Sequence, residues 1–460
     1  MKSVAQDLAP SFPLLPRSEV YGLWGDMRMA QTDPLGYFLK LGREQNGLAR
    51  FRAGLWDVYL VAHPEAVSAI LREHYKSYSK RTFTYEMVRS VGGEGLLTLD
   101  GDAWHQRRRM MQPIFSKERV AALDRVVTKA TDAMLDRWTN TAQPKEGIDL
   151  VEQVNELTLT IAAQAFFQVD LEESKELRQA ITDLSNAHAI RIRSKWFALF
   201  ALMGRLSPTN RQVQSARKTL GDVTQRIIQE LHNRSQVGDN ILVQLAQAHH
   251  PDTGGGLSKD DLHSEVTTLL LAGNETTSRA LTWCLYLLSR HPEIAKKVAL
   301  ETQNFPVGNQ LTFADFEKLE YSHWVVQEAL RLYPPVYAFS RRAERDEVVN
   351  GYRIPKGARI LISPYVAHRL PEFWTRPDEF IPERFSPDEC KKRPNLSYLP
   401  FGAGPRQCIG QRFAMLEMQI IVPMILQRFT LFGTNDAPIL PDPQGTLTPS
   451  QPIRLKIYPR

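Results

Sequence analysis

The sequence predicts a mainly α-helical protein with a small β-rich region, and three observations lead there. Segments with apolar residues at helical spacing dominate the chain, at Val120 to Trp138, Leu150 to Phe167, Gln212 to His232, Ser258 to Arg290 and Phe316 to Leu332. Alternating or β-branched runs are fewer and cluster near the ends of the chain. The Pro/Gly-rich stretches, such as Pro251 to Gly256 and Pro438 to Pro449, are short enough to be loops inside one compact body, so 460 residues with 43% hydrophobic content need not be cut into separate domains.

Taken in order, Met1 to Arg17 has one early lysine but no apolar core of signal-peptide or membrane-span length. Residues 1–36 are therefore an N-terminal segment without a membrane span, and the chain is expected to be soluble. Leu48 to Val61 reads as a hairpin with Gly54 near its turn, and Val348 to Ile362 carries the turn signals Asn350-Gly351 and Lys356-Gly357. Ser258 with Asp261 makes a capping-box start, and His291-Pro292 ends the pattern, which gives a helix about 48 Å long.

In the middle of that helix lies Leu271-Ala272-Gly273-Asn274-Glu275-Thr276-Thr277. Gly273 costs about 1 kcal/mol relative to alanine there, and two threonines add β-branching, so something other than helix stability is served. Thr276 can return its hydroxyl to the Ala272 carbonyl, which would bend the helix, while Ala272 and Gly273 leave a groove unfilled. The plainer alternative on these residues alone is a capped kink in a buried helix. Further on, Pro423 is expected to kink or end the helix that follows Gln411.

A net charge of +6 is moderate, and its basic residues are spread along the chain rather than gathered in a nucleic-acid-type block. Arg107, Arg108 and Arg109, with Lys117 and Arg119, crowd one region that is either a solvated helix face or a docking patch. Three cysteines, Cys284, Cys390 and Cys408, are too few and scattered for a disulfide framework, which favours a reducing compartment, the cytoplasm.

Cys408 is the most informative residue. It sits in Phe401-Gly402-Ala403-Gly404-Pro405-Arg406-Gln407-Cys408-Ile409-Gly410, where glycines permit backbone angles or close approaches that a β-carbon would forbid. A helix start just beyond it would favour the thiolate, and Arg406 could hold an anionic group of the same ligand. Two spacings add to this. Trp104 and Arg108 stack on one side of a helix as donors suited to a carboxylate, or as plain amphipathic packing; Glu328 and Arg331 are neighbours on another, as a surface ion pair would be.

The complete pattern of Phe401, Gly404, Arg406, Cys408 and Gly410 resembles the haem-ligand signature of the cytochrome P450 family, for which thiolate ligation of haem iron is already known. The resemblance runs from about Tyr37 to the C-terminus and implies a cytochrome P450 fold in a single domain over 37–460. It implies haem b with Cys408 as the axial thiolate and metal ligand, and O2 as co-substrate. Leu271 to Thr277 is similar to the family's oxygen-binding helix motif, so Ala272 and Gly273 would line the oxygen site and Glu275 and Thr276 would be its acid-alcohol proton relay. Glu328 and Arg331, with Pro382-Glu383-Arg384-Phe385, look like the family's buried Glu-Arg-Arg network. Trp104, Arg108, Arg341 and Arg406 match propionate-binding positions, and Phe401 and Gly410 frame the cysteine.

Matching family regions place Phe83, Tyr85, Leu269, Val336, Tyr337, Phe339 and Leu447 around a lipophilic substrate, although such side chains are as readily core. Ala189 to Leu206, with Arg191, Arg193 and Lys195 beside Trp196-Phe197, would be an entrance lid or a membrane contact. The implied function is a haem-thiolate monooxygenase that inserts one oxygen atom of O2 into a lipophilic small molecule, by hydroxylation or epoxidation of a fatty acid, terpenoid or similar compound. No flavin or iron-sulfur motif is present, so electrons would come from a separate ferredoxin or flavodoxin with its NAD(P)H reductase, docking at Arg107 to Arg109 of a monomer. An isomerase or peroxygenase is the enzymatic alternative, disfavoured by Glu275-Thr276 because neither needs that proton relay. A non-catalytic haem-based ligand binder is the other.

Overall fold

The computed structural model describes residues 11–18, 26, 28–30, 32–53, 56–140, 147–168, 179–180, 183, 208–233, 241–249, 254–303, 305, 312–435 and 437–460. Gly54 and the proposed lid Ala189 to Leu206 lie outside them. In chain order the main elements are α1 (Pro34–Glu44), β1 (Leu48–Ala53), β2 (Trp56–Val61), β3 (Tyr78–Ser79), α2 (Phe83–Gly92), α3 (Gly101–Met111), α4 (Asp124–Asn140), β4 (Ile148–Asp149) and α5 (Leu150–Phe167). There follow α6 (Pro208–Asn233), α7 (Lys259–Arg290), α8 (Pro292–Thr302), α9 (Glu320–Leu332), β5 (Phe339–Ala343), β6 (Glu347–Val349), β7 (Tyr352–Ile354) and β8 (Arg359–Ile362). The chain ends with α10 (Gln411–Arg428), β9 (Phe429–Gly433), β10 (Pro441–Pro443), β11 (Leu447–Pro449) and β12 (Arg454–Pro459), and shorter helical turns fill in between. Among the described residues no helix is long and apolar enough to cross a membrane.

Two compact units emerge: Met1–Glu86 with Gln327–Cys408, and Met87–Val326 with Ile409–Arg460. The first is built on a sheet in the order β1-β2-β8-β5-β3. β1 and β2 form the expected hairpin, Leu48 opposite Val61, and β2 runs parallel to β8, Val58 beside Arg359. Asn350 and Gly351 both take positive φ at the turn between β6 and β7, as an Asn-Gly hairpin requires. The core of this unit joins Tyr37 and Leu41 of α1 to Phe51, Tyr59, Leu60 and Ile360 of the sheet. Tyr37 meets Phe51 edge to face at 5.5 Å.

The second unit is helical and centres on α7. The Ser258 hydroxyl accepts the Asp261 amide and the Asp261 carboxylate accepts the Ser258 amide, the reciprocal cap read from sequence. Trp283, Leu285 and Leu288 of α7 are buried, as are Ile161 of α5 and Ile420, Ile421 and Ile425 of α10. A sheet in the order β4-β12-β9 closes the unit.

Three element boundaries differ from expectation. Phe316 belongs to a separate turn, Phe313–Phe316, opened by its own Thr312–Asp315 capping box, and α9 starts only at Glu320. The Val120 to Trp138 pattern divides into Lys117–Ala121 and Asp124–Asn140. Pro423 does not end its helix: α10 continues to Arg428. Every residue from Ile420 to Leu426 is buried, and that burial outweighs the ~3 kcal/mol a mid-helix proline costs.

Candidate functional site

In the first unit the Cys408 loop is shaped by its glycines. Gly402 and Gly404 both have φ of +69°, and a β-carbon on Gly404 would lie 1.9 Å from the Leu71 carbonyl oxygen, so only glycine fits. Gly410 has no such demand: at φ −84° it serves as the N-cap of α10. The Cys408 amide donates to the Phe401 carbonyl at 3.0 Å, which closes the loop, and the cysteine itself is exposed. Cys284, by contrast, is buried, and burial pushes its thiol well up. The chain thus presents one loop-held sulfur and seals another.

In the same unit Glu328 and Arg331 are fully buried and bidentate, with Arg331 Nε to Glu328 Oε2 at 2.6 Å and a terminal nitrogen to Oε1 at 2.8 Å. Arg384 Nε joins Glu328 Oε1 at 3.2 Å, and the Ile381 amide donates to the same oxygen at 2.9 Å. Arg331 also donates to the carbonyls of His368, Pro377 and Glu379. Removing one member would strand a buried charge, a loss of about 3–5 kcal/mol.

His368 was not legible beforehand, and it ties this network to the cysteine loop. Its Nε2 accepts the Leu399 amide at 2.9 Å, so its proton sits on Nδ1 and is donated to the Arg331 carbonyl at 3.1 Å. Burial, with the Arg331 and Arg369 charges, holds its pKa well below the ordinary value, so the ring is neutral.

Arg341 on β5 is 5% exposed, donates to the Tyr85 hydroxyl at 3.2 Å, and pairs with no carboxylate among the described residues. A buried cation whose hydrogen bonds go to a phenol and, at 2.8 Å, to the Ser340 carbonyl suits an anionic group of a ligand. Tyr85, a candidate for the substrate pocket, is buried, and its hydroxyl accepts from Arg341. Phe83 and Val336 are exposed, while Tyr337 and Phe339 are half-buried.

In the second unit Trp104 and Arg108 share α3. Trp104 is buried and Arg108, half-buried, donates to Gln112 at 2.7 Å. Arg107 corrects the expected docking patch: it is 8% exposed, with Asp261 and Glu265 each at 2.6 Å from its guanidinium, and Glu265 also accepts the Leu96 amide. Its charge is consumed inside the fold, because two carboxylates of α7 lie on the same turn beneath it. Arg109, Lys117 and Arg119 remain exposed, and Lys117 pairs with Glu317 at 3.0 Å.

On α7 the Thr276 hydroxyl donates to the Ala272 carbonyl, as the spacing predicted. A β-carbon at Gly273 would meet only the Phe166 ring, at an ordinary 3.7 Å, so packing inside the chain does not require glycine there. Asn274 accepts the Thr158 hydroxyl at 2.7 Å and Glu275 accepts the Thr446 hydroxyl at 2.7 Å. Next to them Thr277 bonds Glu417 of α10, a 2% exposed carboxyl whose pKa burial drives well up. Two of the pocket candidates lie here. Leu447 is wholly buried, its carbonyl taken by the Trp283 indole, and Leu269 lines a small cavity of about 10 Å³ with Phe166, Leu242 and Val266.

A loop-held exposed cysteine, a Glu-Arg-Arg cluster around the buried Glu328 and a long helix carrying Ala-Gly-Asn-Glu-Thr-Thr are the features on which the resemblance to the haem-thiolate oxygenases rests. The comparisons agree. The cytochrome P450 family model matches residues 13–457, and the chain belongs to that family. It is 33% identical over 444 residues to cyclooctatin synthase of Streptomyces melanosporofaciens, covering 95% of this chain and 94% of that protein. It is 32% identical to cyclooctat-9-en-7-ol 5-monooxygenase of the same organism, covering 84% and 82%. The crystal structure of the cytochrome P450DA heme domain superposes with a TM-score of 0.84 at 25% identity over 98% of both chains. The chain is accordingly an oxidoreductase, a P450 monooxygenase.

Proposed function

We propose that the chain binds haem b through the Cys408 thiolate and inserts one oxygen atom of O2 into a lipophilic small molecule. The observation that carries this is the exposed Cys408 sulfur in a loop whose backbone only Gly404 permits. The donor set suits the group. Arg341 is a buried cation with no carboxylate partner among the described residues, and by the family resemblance Trp104, Arg108 and Arg406 would be further donors for propionates. When bound, haem supplies the reductive activation of O2.

The chain's own residues do the rest. Ala272 and Gly273 keep one wall of α7 free of side-chain bulk. Thr276, its hydroxyl parked on the Ala272 carbonyl, and Glu275, held by Thr446, are the alcohol and acid through which protons reach the oxygen site. The Glu328, Arg331, Arg384 and His368 network holds the cysteine loop in place. Exposed Phe83 and Val336 support a lipophilic substrate, and the name of the monooxygenase relative supports hydroxylation. Electrons come from a separate ferredoxin or flavodoxin; with Arg107 committed internally, the exposed Arg109 and Arg119 are the cations of that region that would steer it.

The test is the carbonyl spectrum of the reduced protein. Wild-type protein gives the red-shifted band of sulfur coordination and Cys408→Ser does not; a Cys408→Ser protein that keeps the band refutes the assignment.

A further inference from the structure

Beside β1, β2 and the turn 355–358 that precedes β8, the first unit carries a cleft of about 210 Å³, lined among others by Leu14, Trp56, Asp57, Pro355, Ala358 and Arg359. Its rim is fixed by the backbone. The Pro13 carbonyl accepts the Arg353 amide at 2.9 Å and the Leu15 carbonyl accepts Arg50 at 3.3 Å, which pins the segment carrying Leu14.

Two features of this cleft are not explained by packing. Trp56 is 54% exposed, and the Arg359 guanidinium lies 3.8 Å from its ring centroid. Stacking holds a guanidinium flat and leaves its N–H edge to other partners. Among the described residues Arg359 pairs with no carboxylate, because the acids of the adjoining strands and turns are engaged elsewhere. Asp57 holds both Arg17, at 3.0 Å, and Arg50. Asp346 takes Arg353 at 3.3 Å and the Lys356 amide at 2.8 Å, Glu347 takes Arg345 at 2.7 Å, and Glu344 accepts the Ser79 hydroxyl. The second feature is Arg342, which stands directly opposite Arg359 in the β5–β8 register. Like charges so placed weaken a strand pair, and an anion between them relieves the strain.

We propose that this cleft is a binding site for a small monocarboxylate with one ring-sized apolar group. The carboxylate pairs with the N–H edge of Arg359, and the apolar group lies against Leu14, Trp56, Pro355 and Ala358. The volume sets the size, since it falls below the roughly 300–1,000 Å³ of sites for drug-sized ligands. A single negative charge suits the site because Arg359 offers two parallel donors, whereas Asp57 nearby would oppose a second charge. Nothing in this site depends on the haem reading, and it goes beyond the function proposed above.

The experiment is fluorine NMR of 4-fluorobenzoate titrated with the holoenzyme. Wild-type protein should bind it at millimolar concentration or below, and bind the uncharged 4-fluorobenzyl alcohol much more weakly. Arg359→Gln should weaken 4-fluorobenzoate binding about tenfold, as loss of a charge-assisted hydrogen bond does. Trp56→Ala, which removes both the wall and the stack, should weaken it about threefold. Arg342→Gln should cost far less than Arg359→Gln. Absence of binding to the wild type, equal binding of the alcohol, unchanged binding in Arg359→Gln, or an equal loss in Arg342→Gln each overturns the proposal. Circular dichroism reports the fold of each variant, and if one misfolds the other still decides.

Discussion

The Nε2 of His368 accepts the backbone amide of Leu399 at 2.9 Å, just ahead of Phe401 and the cysteine loop. That bond exists only while the imidazole is neutral, because a protonated ring would offer a donor to a donor. The depressed folded pKa gives the pH dependence its sign. The unfolded chain takes up a proton near pH 6.5 and the folded one does not, so stability is full above that value and falls as pH drops below it. His368→Gln, which can still donate and accept, should lower by about one the number of protons taken up on unfolding between pH 6.5 and 5. Urea unfolding midpoints measured across that range check it. His263 and His323, also depressed by burial, supply the dependence that persists.

Two glycines of the proposed haem and oxygen motifs answer to different demands. Gly404→Ala places a β-carbon against the Leu71 carbonyl at φ +69°, and the loop must move to accept it. It should abolish stable haem incorporation, seen as loss of the Soret band in purified protein. Gly273→Ala meets only Phe166 and should raise stability by about 1 kcal/mol, as alanine does in a helix interior. Its penalty should fall on oxygen-dependent turnover, so thermal midpoint and turnover move in opposite directions.

Glu417 carries a proton that the unfolded chain would release. With the folded pKa raised far above 4.5, the contribution to stability is complete below about pH 4.5 and is lost as pH rises from there. Glu417→Gln keeps a polar partner for Thr277 without that release, and should be more stable than wild type at pH 8 but not at pH 4.5. Glu417→Ala leaves the Thr277 hydroxyl buried and unpaired and should lose about 1–3 kcal/mol at both. Chemical unfolding of the three proteins at the two pH values decides it.

What the sequence made legible is what neighbours in the chain determine. The reciprocal cap of Ser258 and Asp261, the hairpin at Leu48 to Val61, the Thr276 bond to Ala272 and the Glu328-Arg331 pair all follow from spacing. What stayed hidden is what distant residues contribute. Three adjacent arginines look like a surface face until Asp261 and Glu265 arrive beneath Arg107. His368, Thr446 and Thr158 are ordinary in their own neighbourhoods and matter only for Leu399, Glu275 and Asn274. Pro423 misled because burial on both sides of it decides the helix.

Thr276 is the sharpest separation of structure from chemistry in the chain. Its hydroxyl is spent on the Ala272 carbonyl of its own helix, so among the described residues Thr276→Ala breaks no hydrogen bond between elements. Alanine is also the better helix former, and the thermal midpoint should hold or rise slightly. Haem binding and the substrate-induced spin shift should be unchanged, since neither needs the alcohol. Proton delivery does need it. A positioned proton donor is worth about 10²–10⁴ in rate, and water entering beside Gly273 replaces only part of that, so reduced oxygen should leave as peroxide in most turnovers. Peroxide released and product formed per NAD(P)H, measured in one reaction, give the answer: product should fall roughly tenfold or more. Fully coupled turnover in Thr276→Ala would remove Thr276 from the relay and leave Glu275 to act alone.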